Sequence, residues 1–308
     1  FIAGHKGMVG SAIMNKLIKK NKVYTVNKHK LDLLNQEKTL NYFKKNKFDH
    51  VYMCAAKVGG IYANSKYSAD FIYNNLQIQN NCIISAYKTG VKKILFLGSS
   101  CIYPKKSKNP IKEGYLLSGK LEKTNEAYAI AKIAGLKMCE SFNNQYNTDY
   151  RAVMPTNLYG PNDNYDDQNS HVLAALIKKI QYAKLNKKKK IIVWGNGLPK
   201  REFLHTSDFA DACIKVMNIS KKKYFDLTGN INQFINIGYG KEISIKDLTK
   251  LICKIVKYSG KIEYDKNKPN GTFRKLIDSS KLKKINWSPK IVLEEGIKSI
   301  IKDNNNLL

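Results

Sequence analysis

The sequence predicts an α/β fold: a doubly wound parallel sheet with helices on both faces, followed by a smaller C-terminal α/β lobe. Three observations predict it. Short apolar runs alternate with long helical patterns through the first half of the chain, the first apolar run ends in a glycine loop that opens a helix, and the texture changes toward the C-terminus.

Residues 1–3, Phe-Ile-Ala, read as a strand running into glycines. A helical pattern follows over 10–20, with Ile13, Leu17 and Ile18 at helical spacing, and then the strand-like Val23-Tyr24-Thr25-Val26. Further strands are expected at 49–54, 93–99 and 150–154, separated by helices near 35–46, 70–88 and 126–145. Strands spaced by helices imply crossovers, hence a parallel sheet covered on both sides. Beyond them, strands at 191–194, 234–237 and 261–264 lie among helices and Gly/Pro/Asn turns. We therefore expect a cofactor domain over 1–160 with returns near 190–216 and 232–240, and a substrate lobe over 161–189 and 241–308. The lysine runs 187–190 and 221–223 read as exposed turns.

The 308 residues are 43% hydrophobic and 25% charged, enough to build a large core. Lys+Arg number 54 against 24 Asp+Glu, a formal charge of +30, which raises the question of nucleic acid. Composition argues against that role. Only Arg151, Arg201 and Arg274 are arginines, whereas base edges and buried phosphates favour the planar guanidinium fork. The excess therefore reads as solvated surface lysine. No run of eighteen apolar residues occurs, so no membrane span is expected. The six cysteines are scattered, with no C-x-x-C pair and no histidine at ligand spacing, which points to free thiols, a reducing cytoplasmic setting and no metal. Because the chain opens at Phe1 inside an apolar run without Met, residues are expected to precede it.

Gly4-His5-Lys6-Gly7-Met8-Val9-Gly10 lies between the first strand and the first helix. There, glycines let the backbone turn tightly and let a pyrophosphate approach the amides at a helix N-terminus. The spacing is G-x-x-G-x-x-G, a variant of the commoner dinucleotide fingerprint, and it makes the first unit Rossmann-type. At the end of the second strand stands Val26-Asn27-Lys28, with no carboxylate for a ribose hydroxyl and a lysine suited to a 2′-phosphate, so NADP(H) is the expected cofactor. Lys6 is placed to assist. Asp32 and Leu33 are expected beside the adenine, and Ala55, Ala56 and Lys57 beside the cofactor after the third strand.

Tyr128 and Lys132 stand four apart in a helical pattern and share a face. A nearby ammonium is expected to pull the phenol's pKa down and fit it for carbonyl/alcohol chemistry. Ser99 lies at the C-terminal edge of a central strand, where α/β folds place ligands, in position to hydrogen-bond the same carbonyl.

With these motifs in this order the sequence resembles the extended short-chain dehydrogenase/reductases, and within them the GDP-L-fucose synthase branch. The resemblance runs through residues 1–12, 55–60, 69–72, 97–104, 125–135, 154–161, 170–172, 201–205 and 271–275. It implies that one site converts GDP-4-keto-6-deoxy-D-mannose to GDP-L-fucose by C3/C5 epimerisation and then NADPH-dependent reduction at C4. Ser99, Tyr128 and Lys132 would form the reduction triad, with Cys101 as base and His171 as acid of the epimerisation. Without the resemblance, Cys101 is read first as a small buried packing residue and His171 as a residue of the helix start. The resemblance further implies cofactor contacts from Leu97, Gly98, Pro155, Thr156, Asn157, Leu158 and His171, although Pro155 also serves to end its strand. Lys179, Trp194, Arg201 and Lys275 would contact the GDP-sugar, Lys179 standing where relatives carry Arg. His205 reads as structural. A homodimer joined through the Tyr128 helix is implied as well. Two rivals stay open at this point: another NAD(P)-dependent sugar-nucleotide epimerase or dehydratase of the same fold, and a non-catalytic NADP-binding regulatory or basic RNA-associated protein.

Overall fold

A computed structural model describes residues 1–166, 170–268 and 270–303. The strands are β1 (Ile2–Ala3), β2 (His50–Met53), β3 (Lys93–Leu97), β4 (Asp149–Pro155), β5 (Asn157–Tyr159), β6 (Lys190–Trp194), β7 (Lys200–His205), β8 (Phe234–Ile237), β9 (Glu242–Ser244), β10 (Lys261–Asp265) and β11 (Arg274–Lys275). The helices are α1 (Met8–Leu17), α2 (Gln36–Asn46), α3 (Ile61–Lys66), α4 (Ser68–Lys88), α5 (Glu126–Tyr146), α6 (Val172–Leu185), α7 (Thr206–Asn218), α8 (Lys221–Thr228), α9 (Ile245–Val256), α10 (Ser280–Lys283) and α11 (Leu293–Asp303).

The central sheet has the order β1-β2-β3-β4-β8, every pair parallel. Its strands are buried on both faces, which is why they read as unbroken apolar runs such as Ile94-Leu95-Phe96-Leu97. One face packs against α2, α4 and α5 through Phe43, Ile83, Phe96 and Leu136, the other against α1 and α7 through Ile13, Leu95, Phe209 and Val216. The lobe has its own core, where Leu176, Ile177 and Ile180 of α6 meet Val193, Leu248, Ile252 and Ile297.

Several expectations need correction. The segment 23–26 runs extended beside β1 but is not a strand: a two-residue β1 offers few ladder positions, and the bond recorded between them is Ile2 N–H to the Tyr24 carbonyl at 3.0 Å. Residues 191–194 do not return to the first sheet, because β6 pairs in parallel with β10 and buries Ile191 and Val193 in the lobe. Conversely, Leu282 and Ile285, expected in the lobe, pack under the central sheet beside Ile235. Lys221–Lys223 form the first turn of α8, capped by Ser220 Oγ accepting from Lys223 N–H at 3.1 Å, instead of a turn.

Arg151, the largest fully buried side chain, is pinned by both carboxylate oxygens of Asp149 at 2.6 and 2.8 Å and donates to the carbonyls of Val216 and Ile219. It ties β4 to the C-terminus of α7. Arg151→Ala leaves a carboxylate and two carbonyls buried without their partner. We expect a loss of about 3–5 kcal/mol in stability, read by urea unfolding.

Candidate active site

Gly4 follows β1 with φ of +83°, and a Cβ there would stand 2.7 Å from the Ala55 amide nitrogen. Gly7 N–H donates to the Gly4 carbonyl at 3.1 Å and closes the turn, while any Cβ on Gly10 would collide with that same carbonyl oxygen. The loop therefore tolerates no side chain at either position and delivers the open N-terminus of α1 to the cavity, the cradle a pyrophosphate needs. Gly10→Ala should abolish dinucleotide binding in a fluorescence titration and lower the melting temperature. Normal binding would show that the loop yields.

The glycine loop opens onto one cavity of about 1360 Å³. Single drug-sized ligands occupy about 300–1,000 Å³, so this space suits a dinucleotide together with a second ligand. Its wall contains Gly4, Gly7, Met8, Val9 and Gly10, then Lys28, Asp32 and Leu33, then Ala55, Ala56 and Lys57. Leu97, Gly98 and Ser99 line it from the end of β3, and Pro155, Thr156, Asn157 and Leu158 from the β4–β5 junction. Lys6 is the exception: it is exposed and outside the wall, because the Gly4–Gly7 turn carries it toward solvent. Lys28 is exposed at the rim, and Lys57 is paired with Asp70 at 2.7 Å.

Tyr128 and Lys132 project from the first turns of α5, as their spacing requires. Lys132 Nζ lies 5.8 Å from the Tyr128 ring centroid and donates to the Leu97 carbonyl at 2.9 Å. Burial brings its ammonium down to about 8. The Tyr128 phenol is not pulled down as expected. Burial pushes it up, Cys101 adds to the rise, and only the hydrogen-bonding Ser99 hydroxyl draws the other way. The dominant cause is desolvation: a phenolate buried in this site loses its water, which outweighs the Ser99 hydrogen bond. A phenol so held rests protonated, which suits a proton donor.

Cys101 sits half-buried in the 3₁₀ turn after Ser99, whose Oγ accepts its amide N–H at 3.2 Å. Asn125 Nδ2 lies 3.2 Å from its sulfur and Lys275 Nζ 3.8 Å. Both neighbours are donors and one is cationic. Lys275 comes from β11, whose parallel pairing with β7 carries it there. His171 occupies the N-cap position of α6, but its side chain makes no capping bond and is exposed on the cavity wall. Asp163, whose carboxyl is pushed up by burial, is drawn back down by His171 nearby. His205, by contrast, is structural: its Nδ1 accepts from Ser207 N–H at 3.2 Å at the start of α7.

On the lobe side the wall includes Lys179, Trp194 and Arg201. Trp194 is 55% exposed, with Lys268 Nζ 5.4 Å from its ring centroid. Lys179 Nζ donates to the Ile192 carbonyl at 2.7 Å. Arg201, lowered in pKa by burial, donates to the carbonyls of Lys200 and Asn270 at 2.8 and 3.4 Å. Beneath them lies Glu202, fully buried, a residue for which sequence reading had no role. Its carboxylate accepts from Gly240 N–H at 2.6 Å and Ile277 N–H at 3.2 Å, and its backbone carbonyl accepts from Thr156 and Asn157 at 3.2 and 2.9 Å. It joins the β4–β5 junction to the segment carrying Lys275. Asn125 also went unassigned, although an Asn immediately before a helix was the available signal.

Residues 1–238 match the model of the NAD dependent epimerase/dehydratase family. The chain belongs to that family. Among family relatives it is 50% identical over 299 residues to GDP-L-fucose synthase 1 of Arabidopsis thaliana, covering 96% of this chain and 90% of that protein. It is 48% identical over 301 residues to GDP-L-fucose synthase of Escherichia coli strain K12, covering 97% and 94%. A GDP-D-glycero-L-gluco-heptose synthase from Campylobacter jejuni, solved in the presence of NADPH, superposes with a TM-score of 0.91 at 37% identity, covering 99% of this chain and 97% of that one. For a family named for its dinucleotide, the fit here is physical: Gly4 and Gly10 pack backbone on backbone with no room for a Cβ, and the turn they form leaves the N-terminus of α1 on the cavity wall.

Proposed function

We propose that the chain converts GDP-4-keto-6-deoxy-D-mannose to GDP-L-fucose, epimerising C3 and C5 and then reducing C4 with NADPH. The observation that carries this reading is the convergence of Ser99, Tyr128 and Lys132 with Cys101, Lys275 and His171 on one cavity. A rim lysine at Lys28, where the chain reads Val26-Asn27-Lys28 without a carboxylate, favours the 2′-phosphate of NADP(H). NADPH bound there supplies a hydride to the sugar.

The 4-ketone acidifies the hydrogens on both neighbouring carbons, so a single polarised carbonyl serves both halves of the reaction. Cys101 Sγ takes the proton from C3 or C5, and His171 returns one on the opposite face of the ring. Ser99 Oγ orients the C4 oxygen, and the Tyr128 hydroxyl gives that oxygen its proton during reduction. Lys132 holds positive charge beside this group and an anchor for the cofactor ribose. Trp194, Arg201 and Lys179 form the nucleotide end, with Arg201 offering a guanidinium fork and Lys179 a point charge to phosphate. Cofactor residues would come chiefly from 1–160 and the β8 region, and GDP-sugar residues from 161–194 and the C-terminal lobe.

We also read the protein as a homodimer: Tyr73, Tyr87, Ile130 and Tyr146 are exposed along α4 and α5, and a paired-helix interface would cover them. The six cysteines are free, which suits a reducing cytoplasm, and among the described residues no helix is long and apolar enough to cross a membrane. The deciding experiment is one incubation of purified protein with GDP-4-keto-6-deoxymannose and NADPH, followed by product analysis. GDP-L-fucose with one NADPH oxidised per product is the expected result. A reduced product retaining the manno configuration at both C3 and C5 would reduce the assignment to a C4 reductase.

A further inference from the structure

Asn125 stands at the N-cap of α5, a position where asparagine ordinarily turns its side-chain oxygen onto the first free amides of the helix. Here it makes no capping bond. The backbone enters α5 straight from a 3₁₀ turn over Lys123–Asn125, with φ −135° and ψ 19° at Asn125 instead of the extended conformation of a capping residue. The side chain is turned to the cavity wall, its Nδ2 is 3.2 Å from Cys101 Sγ, and its Oδ1 is buried without a partner. A stabilising contact has been given up, and a buried carbonyl left unsatisfied, at a residue that touches the thiol. Local rules broken at one place in this way mark function.

The geometry points to Asn125 as a positioning residue for Cys101. Its amide N–H donates to the sulfur and fixes the direction of the sulfur lone pair, while Lys275, 3.8 Å away on the other chain segment, supplies the charge. Donation from the amide favours the anion over the neutral thiol, because an N–H that faces a thiolate gains a charge-assisted hydrogen bond. The inference rests on the reading of Cys101 as the base of the epimerisation. It adds that the base is held ready before substrate arrives, by the first residue of the 125–135 segment that also carries Tyr128. The alternative role for Asn125 is structural, an imperfect helix cap, and the two roles predict opposite outcomes.

The test compares the intact protein with Asn125→Ala and Asn125→Asp in three measurements. The first is the rate of iodoacetamide alkylation of Cys101 at pH 7 without substrate, followed by peptide mass spectrometry with Cys101→Ser as background. The second is the thermal midpoint. The third is deuterium exchange at C3 and C5 of the GDP-ketosugar. We expect Asn125→Ala to slow alkylation about tenfold, the size of one lost hydrogen bond to a charged group, and to slow exchange in parallel while the midpoint stays put. Asn125→Asp keeps a good residue for a helix start but faces the sulfur with a carboxylate, so its alkylation should be slower still. If Asn125→Asp alkylates at the original rate, the amide accepts from a neutral thiol and the proposal is wrong. If Asn125→Ala melts lower with unchanged alkylation, Asn125 is a cap and the proposal is equally overturned. Failure of the underlying reading looks different: Cys101→Ser would retain full exchange, with the alkylation contrast at Asn125 intact.

Discussion

Tyr128→Phe stops NADPH oxidation while leaving proton exchange at sugar C3 and C5 running. Removing the phenol oxygen removes the group proposed to protonate the C4 oxygen as hydride arrives, and a general acid is worth about 10²–10⁴-fold. The ring itself stays seated against Phe71, edge to face at 6.2 Å, so the fold and the cavity shape survive the change. Cys101 and His171 are untouched, and the substrate ketone still acidifies its neighbours. Absorbance at the NADPH band reads the first effect, and deuterium wash-in by mass spectrometry the second. Loss of both together would mean that the phenol polarises the ketone during epimerisation and that the two tasks are not divided as drawn. The same residue pair sets a pH limit. Lys132 is brought down to about 8 by burial, so it is cationic below that pH and neutral above it. The kcat/KM of the intact protein should therefore fall on the alkaline side of about 8 as charge beside the phenol and the ribose is lost. A flat profile to pH 9.5 would take Lys132 out of the rate.

Cys101→Ser has the converse effect. A serine hydroxyl is far less acidic than a thiol, so exchange at C3 and C5 should drop by at least about 10²-fold. The proposed reduction triad of Ser99, Tyr128 and Lys132 remains. Supplied with the already epimerised GDP-4-keto-6-deoxy-L-galactose, Cys101→Ser should consume NADPH at close to the original rate. Lys275 and Asn125 give this prediction its structural basis, since both donors face the sulfur and neither faces a packing partner of the ordinary buried-cysteine kind. Cys82 and Cys213 provide the contrast. Both are fully buried in apolar surroundings, and burial pushes their thiols up, to about 12 for Cys82. Full retention of exchange in Cys101→Ser would place Cys101 with them.

The parts of this site that were legible in the sequence are those whose chemistry is local. Gly4, Gly7 and Gly10 announced a cradle because backbone conformation at each is dictated within a few residues, and Tyr128 and Lys132 announced a shared face because helical periodicity guarantees it. The central strands were legible as largely apolar runs because a doubly covered sheet leaves few polar positions, Arg151 and Asn236 being buried exceptions. Lys6 misled for the same local reason: proximity in sequence to the loop said nothing about which way a tight turn throws its side chain. Nor could composition separate the three arginines, of which Arg151 is structural and Arg274 pairs with Glu242 at 2.8 Å, leaving Arg201 at the cavity.

What the sequence determined by itself was the sheet, the dinucleotide loop and the list of reactive side chains, since each follows from periodicity, glycine geometry or residue type. What only the tertiary structure decided was which of those side chains meet. Lys275 reaches Cys101 across 174 positions because β11 pairs with β7 and Ile277 hangs from the buried Glu202 carboxylate. The Tyr128 phenol is raised instead of lowered because packing buries it away from water. Distances between segments far apart in the chain, and the burial that shifts a proton, arise from packing, and no local pattern encodes them.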